Sequence, residues 1–373
     1  MLEATETTSA PSAAPVEPGD QTRLARRIEP DLAGKTERLS QYINFFSREL
    51  GNDSRICAFD VKAESTRGKD IVLTGFVEFP ETRTALNNFL TALGFKVTDQ
   101  LEALPSQNLG DKLFGIVKAP HCFTFDRPSG RRKQENDCLL GEPLLLLREQ
   151  DGHLLAHSHE GYLGYIPSKD VERLAEPAYV KYLDGPRVLV TKDHKRGANE
   201  VVPAGARIKL LNTEGDKVLA ELPTGESLTL PADECRVLEI PAKKIDDIIA
   251  TAQSLMGTPY FWGGRTSEGI DCSGLVQMSY ASVGLVLPRD AYQQVFLGQL
   301  SATRWHRAGL RKGDTLYFLA SDGKIRHTAI YLGDGKYLQA VMPKAKISSL
   351  NEGDPEYDAG HSKSFAFAKR LLD

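Results

Sequence analysis

Near the C-terminus, a cysteine stands in a setting that suits nucleophilic attack on a carbonyl group. Asp271 precedes Cys272, while Ser273 and a glycine follow it, at the point where an apolar pattern of helical spacing begins. A thiol at the start of a helix lies near backbone N–H groups and the positive end of the helix dipole. We therefore expect Cys272 to have a lowered thiol pKa, and we expect the same N–H groups to stabilise an oxyanion.

A base, and a residue that could orient it, follow later in the chain. His327 opens the strand-like run HTAIYLG, and Gln339 lies in the next run, KYLQAV, after a short turn. A strand pair joined by so short a turn would bring Gln339 close to His327, where its amide oxygen can accept the second imidazole N–H. His327 can then take the thiol proton and return it to the leaving amine. This chemistry requires no metal and no organic cofactor, and we expect none.

The elements around these residues predict a helix packed on an antiparallel sheet. Apolar spacing indicates one helix over 243–256, which ends at Gly257, and a second helix that begins at Cys272. A glycine-rich loop joins the two helices, and the rest of the chain has the pattern of strands separated by turns. We assign residues 242–373 to this C-terminal domain.

The remainder of the chain predicts a tail and three smaller domains. Residues 1–33 are rich in Ala, Pro, Glu and Thr and are expected to form a disordered tail. Residues 34–110 mix helical and strand patterns, which predicts a small α+β domain without a chemical motif. Residues 111–178 and 179–241 consist of short strand-like runs broken by glycine-containing turns, typical of small β-barrels. The sequence motif GYLGYIP in the first of these two segments resembles bacterial SH3-like domains. The second segment matches such domains only in its length and in its pattern of short strands and turns.

Composition and charge argue against several classes of partner and location. The chain has 373 residues, a net charge of -4 and no long basic block, so nucleic acid is a poor candidate for a partner. No stretch approaches the roughly 20 apolar residues that span a bilayer, and the N-terminus lacks the pattern of a signal peptide. The five cysteines are sparse, odd in number and fit no zinc spacing. We expect a cytoplasmic protein; removal of a leader would instead imply a periplasmic or secreted one.

Several motifs in the C-terminal third of the chain resemble those of the NlpC/p60 family of papain-like cell-wall peptidases. In order, they are GTPYFWGG, IDCSGLVQ, PRDA, GDTLYF and HTAIYLGDGKYLQA. The resemblance implies that Cys272 is the nucleophile, His327 the base and Gln339 the orienting residue, a position where the family more often has His. It also implies that Tyr260 lies beside the nucleophile and assists the oxyanion. The expected fold is multidomain α+β, with a papain-like domain preceded by two SH3-like β-barrels and a small α+β unit.

SH3-like modules ahead of such a domain resemble, more narrowly, the γ-D-glutamyl-L-diamino acid endopeptidases that cut murein peptides. In that family the first SH3-like domain walls the cleft and helps to hold a free N-terminal L-Ala. The resemblance implies that Asp271 binds the amine together with Glu142 and Tyr162 of the first barrel, and that Ser273 belongs to the same binding site. A murein-derived peptide is therefore the expected partner. The family often has Ser where this chain has Ala291.

Other interpretations stay open for these residues and for the function. Asp271 can simply cap the helix, Tyr260 can be a packing aromatic, and Gln339 can be an ordinary strand residue. Glu142 and Tyr162 can belong to a charged surface and to a barrel core. The same Cys–His pair could serve an acyltransferase or an amidase, and SH3-like domains with an inactive site could form a receptor for wall peptides. The sequence predicts no oligomeric state.

Overall fold

The computed structural model describes residues 18–49, 53–196, 200–238 and 244–372. The chain divides into two compact units, Met1–Leu104 and Pro105–Asp373, and the second contains every residue singled out above for chemistry or binding. Within the described ranges, no helix has the length and apolar character that crossing a membrane requires. The same ranges contain no group of three or more His, Cys, Asp or Glu side chains arranged to hold a metal ion.

The first unit is a mixed α/β fold built around one apolar core. Its helices are α1 (Pro18–Ile28), α2 (Leu39–Glu49) and α3 (Pro80–Ala92), and its strands are β1 (Phe59–Arg67), β2 (Asp70–Val77), β3 (Lys96–Asp99) and β4 (Glu102–Ala103). Strands β1 and β2 form an antiparallel hairpin, while β3 and β4 run parallel to β2. Phe46 of α2 and Phe89 of α3 are fully buried in the core between the helices and the sheet. The unit ends at Leu104, somewhat before the predicted boundary at residue 110.

Helix α1 lies within the segment that the sequence predicted to be a disordered tail. Residues 1–17 fall outside the described residues, but Pro18–Ile28 is helical. Leu24, Ala25 and Ile28 recur at helical spacing and pack on the apolar core, where Ala25 is fully buried. The prediction of a tail reaching residue 33 is therefore wrong for this stretch. The composition did not indicate this helix, because its charged residues outnumber the few apolar residues that pack on the core.

The second unit begins with a seven-stranded antiparallel sheet, here called the first β-module (residues 114–174). Its strands are β5 (Phe114–Val117), β6 (His121–Phe125), β7 (Gln134–Leu139), β8 (Pro143–Gln150), β9 (His153–His157), β10 (Leu163–Pro167) and β11 (Val171–Leu174), in the spatial order β11-β5-β8-β9-β10-β6-β7. Ile116, Leu154 and Ile166 are fully buried between its strands. Helix α4 (Glu176–Leu183) then leads to the next sheet.

Two further sheets, together called the second β-module here, cover residues 187–238. Its strands are β12 (Arg187–Val190), β13 (His194–Lys195), β14 (Val201–Val202), β15 (Arg207–Glu214), β16 (Lys217–Glu221), β17 (Ser227–Pro231) and β18 (Cys235–Leu238). Five of them pair in the order β17-β16-β15-β12-β18, and β13 pairs with β14. In neither module do the two outer strands of the sheet pair with each other among the described residues, so no closed barrel is observed. The strand-rich character is confirmed; two SH3-like barrels stay a prediction.

The C-terminal region (residues 244–372) packs helices on an antiparallel sheet, as the sequence predicted. Its helices are α5 (Ile245–Ser254), α6 (Cys272–Ala281), α7 (Ala291–Gln294) and α8 (Ala359–Ser364). Its strands are β19 (Arg265–Thr266), β20 (Gly269–Ile270), β21 (Gln299–Thr303), β22 (Thr315–Leu319), β23 (Ile325–Gly333), β24 (Lys336–Ala340), β25 (Ala345–Ser349) and β26 (Phe365–Arg370). Six of these strands form one sheet in the order β21-β26-β22-β23-β24-β25. Helix α6 packs on β23 and against α5, and all ten of its residues are buried.

Candidate active site

Cys272 is the first residue of the buried helix α6. Asp271 caps this helix, because its Oδ1 accepts the backbone N–H of Gly274 at 2.7 Å. Cys272 is only 8% exposed, and its thiol interacts with the backbone N–H groups of Ser273 and Thr328. Thr328 lies on β23, directly after the predicted base. The start of α6 therefore presents the thiol to the strand that carries His327.

His327 on β23 and Gln339 on β24 lie on the same face of the sheet. The pairing of Ile330 with Leu338 sets the register of these antiparallel strands, which makes His327 and Gln339 diagonal neighbours. The Nε2 atom of His327 lies 2.7 Å from Oε1 of Gln339. The hairpin thus brings together the two side chains that the sequence predicted to meet.

The other end of the Gln339 amide fixes its orientation. Its Nε2 donates to Ser348 Oγ at 2.8 Å and to Asp358 Oδ2 at 3.3 Å. An ionised carboxylate only accepts hydrogen bonds, so the amide nitrogen faces Asp358 and the amide oxygen faces His327. His327 Nε2 consequently carries a proton, and its Nδ1 keeps the lone pair that can accept the proton of Cys272.

A second histidine lies against the first. Asp358 caps α8: its Oδ1 accepts the backbone N–H of His361 at 3.0 Å, and its Oδ2 lies 2.9 Å from His361 Nδ1. The ring centroids of His327 and His361 are 4.6 Å apart, and Phe318 packs edge-on against His361. We call His327, Gln339, Asp358 and His361 the polar cluster.

A buried ion pair lies directly beside Cys272. Arg289, which is 1% exposed, donates to the two oxygens of Asp271 at 3.0 and 2.6 Å and to Ser273 Oγ at 2.8 Å. Oδ2 of Asp271 also accepts the backbone N–H of Gly263 at 2.8 Å. Both oxygens of Asp271 are therefore bound to protein donors. This arrangement supports the capping interpretation of Asp271 and places Ser273 in the same buried network.

The first β-module lines one side of this site. Oδ1 of Asn136 accepts Nε of Arg289 at 2.7 Å, which connects β7 to the buried ion pair. The hydroxyl of Tyr162 donates to Oδ2 of Asp290 at 3.0 Å, and Oε2 of Glu135 lies 3.5 Å from the same hydroxyl. The Tyr162 hydroxyl therefore contacts the residue that follows Arg289 and lies near two carboxylates, and its role in substrate binding stays a prediction.

Glu142 has a different partner from the one expected. It is 2% exposed, and its two oxygens accept from Arg265 of the C-terminal region at 2.9 and 3.1 Å. Oε2 also accepts the backbone N–H of Leu139 at 3.0 Å. Because both oxygens are engaged in this ion pair, the expected contact between Glu142 and a substrate amine is not supported. Glu135 and Asp290 are the carboxylates that the Tyr162 hydroxyl reaches.

Three consecutive aromatic residues, Tyr260, Phe261 and Trp262, lie in the loop before α6. Burial, together with Cys272 and Asp271, raises the pKa of the Tyr260 hydroxyl, so Tyr260 stays protonated beside the nucleophile and can donate a hydrogen bond. Trp262 exchanges two hydrogen bonds with Gln134 of β7. Its Nε1 donates to the Gln134 carbonyl at 3.2 Å, and its own carbonyl accepts Nε2 of Gln134 at 2.6 Å. The loop therefore joins the nucleophile to the first β-module.

Known proteins are similar to this chain in sequence and in fold. Residues 257–359 match the model of the NlpC/P60 family. The γ-D-glutamyl-L-lysine dipeptidyl-peptidase of Bacillus cereus (strain ATCC 10987 / NRS 248) is 27% identical over 262 residues, which are 64% of this chain and 76% of that protein. The murein DD-endopeptidase MepS/murein LD-carboxypeptidase of Escherichia coli (strain K12) is 40% identical over 98 residues, 26% of this chain and 50% of that protein. The crystal structure of an NlpC/P60 family protein from Bacillus cereus ATCC 10987 has a TM-score of 0.61 at 23% identity and covers 70% of this chain and 100% of that one.

This chain carries a C-terminal NlpC/P60 domain. Members of the family are cysteine peptidases, and the match includes both Cys272 and His327. The chain is accordingly a cysteine peptidase. It spans three quarters of the Bacillus cereus relative and half of the Escherichia coli one, so its bond specificity is treated below as a proposal.

Both reacting groups of the NlpC/P60 domain are neutral at rest. Burial, and then the Asp271 carboxylate, raise the pKa of the Cys272 thiol to about 12, against the opposite effect of nearby N–H groups and Arg289. Burial, and then the adjacent His361, lower the pKa of His327 to about 4. The expected lowering of the thiol pKa is therefore wrong, because burial outweighs the helix start. It follows that the thiol proton moves to His327 during attack on the carbonyl rather than before it.

The sequence did not reveal the residues that support this reacting pair in the NlpC/P60 domain. Arg289 and Asp290 stand in the PRDA motif and Glu135 in the first β-module, but no spacing along the chain connects them to the nucleophile. Asp358 and His361 do carry a signal. Asp followed three residues later by His is the spacing of a helix cap and a first-turn side chain, and it could have drawn attention to them.

Proposed function

We propose that this chain hydrolyses the γ-D-glutamyl-L-diamino acid bond of murein-derived peptides that carry a free N-terminal L-Ala. The observation that carries the proposal is the contact of Tyr162 with Asp290, with Glu135 beside them, at the cleft of the NlpC/P60 domain. The names of two relatives support the substrate class: a γ-D-glutamyl-L-lysine dipeptidyl-peptidase and a murein endopeptidase. A dipeptidyl-peptidase acts next to a free N-terminus, which requires recognition of an ammonium group.

The acidic side chains at this end of the cleft suit such an ammonium group. Glu135 and Asp290 carry carboxylates close to the Tyr162 hydroxyl, whereas the charge of Asp271 is neutralised by Arg289. Lys133 pairs with Glu135, and Arg289 interacts with Asp290, so each carboxylate has a cation near it. We assign the ammonium to Asp290, because it accepts the shorter hydrogen bond from Tyr162, at 3.0 Å. A hydrogen bond to a charged group in a desolvated site contributes about 1.5–3 kcal/mol. An N-acyl group would remove the charge and would extend toward the wall formed by the first β-module.

The proposed reaction proceeds through a thioester. The sulfur of Cys272 attacks the γ-carbonyl carbon of D-Glu while His327 Nδ1 takes the thiol proton, and an oxyanion forms at the start of α6. Tyr260, which stays protonated, donates a hydrogen bond to that oxyanion. The imidazolium of His327 then gives its proton to the departing amine of the diamino acid. Water hydrolyses the thioester, which releases the dipeptide and restores the thiol.

Kinetics with a matched pair of peptides test the proposal. The peptide L-Ala-γ-D-Glu-L-Lys and its N-acetyl derivative would be compared by kcat/KM with the full chain. We expect the free peptide to be favoured by about tenfold to a hundredfold, the ratio that corresponds to one charged hydrogen bond. Equal values for the two peptides would refute recognition of a free N-terminus. Cys272→Ala should abolish cleavage, and turnover by that variant would refute the cysteine mechanism.

A substitution at Asp290 then locates the ammonium site. Asp290→Asn removes the charge but keeps a residue that caps α7, so the local fold is retained. It should reduce the preference for the free peptide and leave the rate on the N-acetyl peptide nearly unchanged. Asp322→Asn is the control, since Asp322 is an exposed turn carboxylate paired with Arg326. A preference that survives in Asp290→Asn would assign the ammonium to another group.

A further inference from the structure

The polar cluster extends beyond the residues that proton transfer itself requires. Gln339 is fully buried, and its amide links His327 at one end to Asp358 at the other. The side chains of Asp358 and His361 are 21% and 27% exposed, respectively. A chain of hydrogen bonds therefore runs from the half-buried imidazole of His327 to a carboxylate–imidazole pair at the surface.

Gln339 stabilises the charge that forms at His327 only through one hydrogen bond, because a neutral amide carries no charge of its own. During the reaction His327 becomes an imidazolium in the protein interior, where an unpaired charge is costly. Gln339 can orient the ring, but it contributes no charge. Asp358 is the carboxylate that Gln339 links to His327. Its negative charge raises the pKa of His327, whereas the larger effect of burial lowers that pKa.

His361 binds the same carboxylate. Partial burial raises the pKa of Asp358, but hydrogen bonds from the backbone and ring of His361 outweigh it and hold the pKa below its ordinary value. A neutral His361 leaves the charge of Asp358 available to His327. A protonated His361 would neutralise that charge and place a positive ring 4.6 Å, centroid to centroid, from the ring of His327.

We propose that Asp358 and His361 are positioning residues for His327, in which Asp358 stabilises the imidazolium through Gln339 and protonation of His361 cancels this support. Loss of activity on acidification then follows the charge of His361 rather than that of His327 alone. The inference rests on Cys272 and His327 acting as a pair, whichever peptide they cleave.

Other charged groups face the cluster from the elements packed around it. Lys346 on β25 interacts with Asp358, and Asp271 at the start of α6 interacts with His327. Tyr337 on β24 stays protonated, because burial and then Asp358 raise the pKa of its hydroxyl. Of the side-chain types in this group, only imidazole ordinarily changes charge near neutral pH.

Alkylation of Cys272 by iodoacetamide tests the inference without a peptide substrate. The rate constant would be measured for the full chain by mass spectrometry of the Cys272 peptide, from about pH 4 to pH 9, the range that brackets imidazole titration. We expect the rate constant to fall as the pH is lowered, and we call this part of the profile the acid limb. In His361→Gln the acid limb should lie about one pH unit lower, because the positive charge of a protonated His361 is no longer present. His194→Gln is the matched control, because His194 is a similarly exposed histidine paired with Glu234 at 2.7 Å in the second β-module. It should leave the limb in place.

Asp358→Asn tests the carboxylate. Asparagine caps helices as well as aspartate does, so α8 is retained while the charge is removed. We expect kcat to fall about tenfold with KM changed by less than about twofold, as for an interaction made only when His327 is charged. Alkylation of Cys272 should slow in parallel. Gln339→His in the Asp358→Asn background should recover part of the loss, because a second imidazole can share the charge directly.

The outcomes separate this inference from the proposed substrate. An acid limb that does not move in His361→Gln would exclude the role of His361. Wild-type kcat and wild-type alkylation in Asp358→Asn would exclude the role of the carboxylate. If no murein-derived peptide is cleaved but the alkylation profile shifts as stated, the proposed substrate fails and the inference stands.

Discussion

The imidazole of His327 makes the stability of the protein depend on pH, separately from catalysis. Its pKa lies near 4 rather than at the ordinary 6.5, chiefly because burial penalises the charged ring. Above about pH 6.5 the folded and unfolded chains both hold this ring neutral. Below that, the unfolded chain takes up a proton that the folded protein does not accept until about pH 4. The folded state therefore loses stability as the pH falls through this window.

We expect His327 alone to lower the free energy of unfolding by about 2 kcal/mol between about pH 7.5 and pH 5. Urea unfolding of the wild type and of His327→Gln at both pH values measures this contribution. Over the same pH interval, the free energy of unfolding of the variant should fall by about 2 kcal/mol less than that of the wild type, because glutamine does not titrate. Other titrating groups act in both proteins and cancel in the comparison. The same loss in the two proteins would show that His327 is not held neutral by burial.

At the scale of the elements, the start of α6 depends on a close approach by the preceding loop. A Cβ atom added at Gly274 would lie 2.4 Å from the carbonyl oxygen of Gly264 and 3.0 Å from Oδ1 of Asp271. The Gly264 backbone has little freedom to move, because its carbonyl accepts the N–H of Asp271 and the N–H of Gly263 is bound by the Asp271 side chain. Packing therefore requires glycine at a helical position where glycine is ordinarily unfavourable.

Gly274→Ala should lower the free energy of unfolding by about 1–3 kcal/mol, the usual cost of overpacking, although alanine is the better helix former. It should also lower kcat, because a shift of the helix start moves Cys272 relative to His327. Gly360→Ala in α8 is the matched control, since the nearest atom to its added Cβ would be 3.5 Å away. Urea unfolding and kcat would be measured for both variants. A Gly274→Ala protein more stable than the wild type would contradict the packing argument.

Local signals in the sequence were enough to predict the elements around the site. Periodicity marked the start of α6, and a short turn between two strands predicted the approach of Gln339 to His327. The ion pair of Asp271 with Arg289 joins residues that no local pattern connects, and it was not predicted. The direction of the pKa shift of Cys272 was wrong for the same reason, because burial depends on how distant segments pack. Barrel closure of the β-modules also depends on distant strands, and it stays a prediction.

At the scale of the whole molecule, the second compact unit is held together by polar contacts shielded from solvent. The side chains of Glu142 and Arg265 are 2% and 3% exposed, and Arg265 also donates to the carbonyl of Asp137 at 3.0 Å. These contacts join the first β-module to the NlpC/P60 domain. Arg207 of the second β-module donates to the carbonyl of Ala281, at the end of α6, at 2.7 Å. The second β-module therefore contacts the helix that carries the nucleophile, and the first contacts the strand β19 that precedes it.

A double-mutant cycle on Glu142 and Arg265 tests how much this pair contributes. Glu142→Gln or Arg265→Met alone should lower the free energy of unfolding by about 3–5 kcal/mol, because each leaves a buried charge without its partner. In the double variant the free energy of unfolding should fall by clearly less than the sum of the two single losses, because neither member of the pair is then left without its partner. Glu172→Gln is the control, since its pair with Lys118 is partly exposed and should contribute little. Additive losses in the cycle would show that the two side chains act independently.

The contact between Trp262 and Gln134 makes Trp262 an intrinsic fluorescence probe of the protein. The chain contains only two tryptophans, Trp262 and Trp305, and Trp305 is 86% exposed. Replacing Trp305 by phenylalanine would leave one indole as the source of tryptophan emission. That indole lies where the first β-module meets the loop before Cys272, so its emission would respond both to a peptide entering the cleft and to separation of the module from the NlpC/P60 domain. Stopped-flow fluorescence on unlabelled protein could then follow binding and turnover as separate events in time.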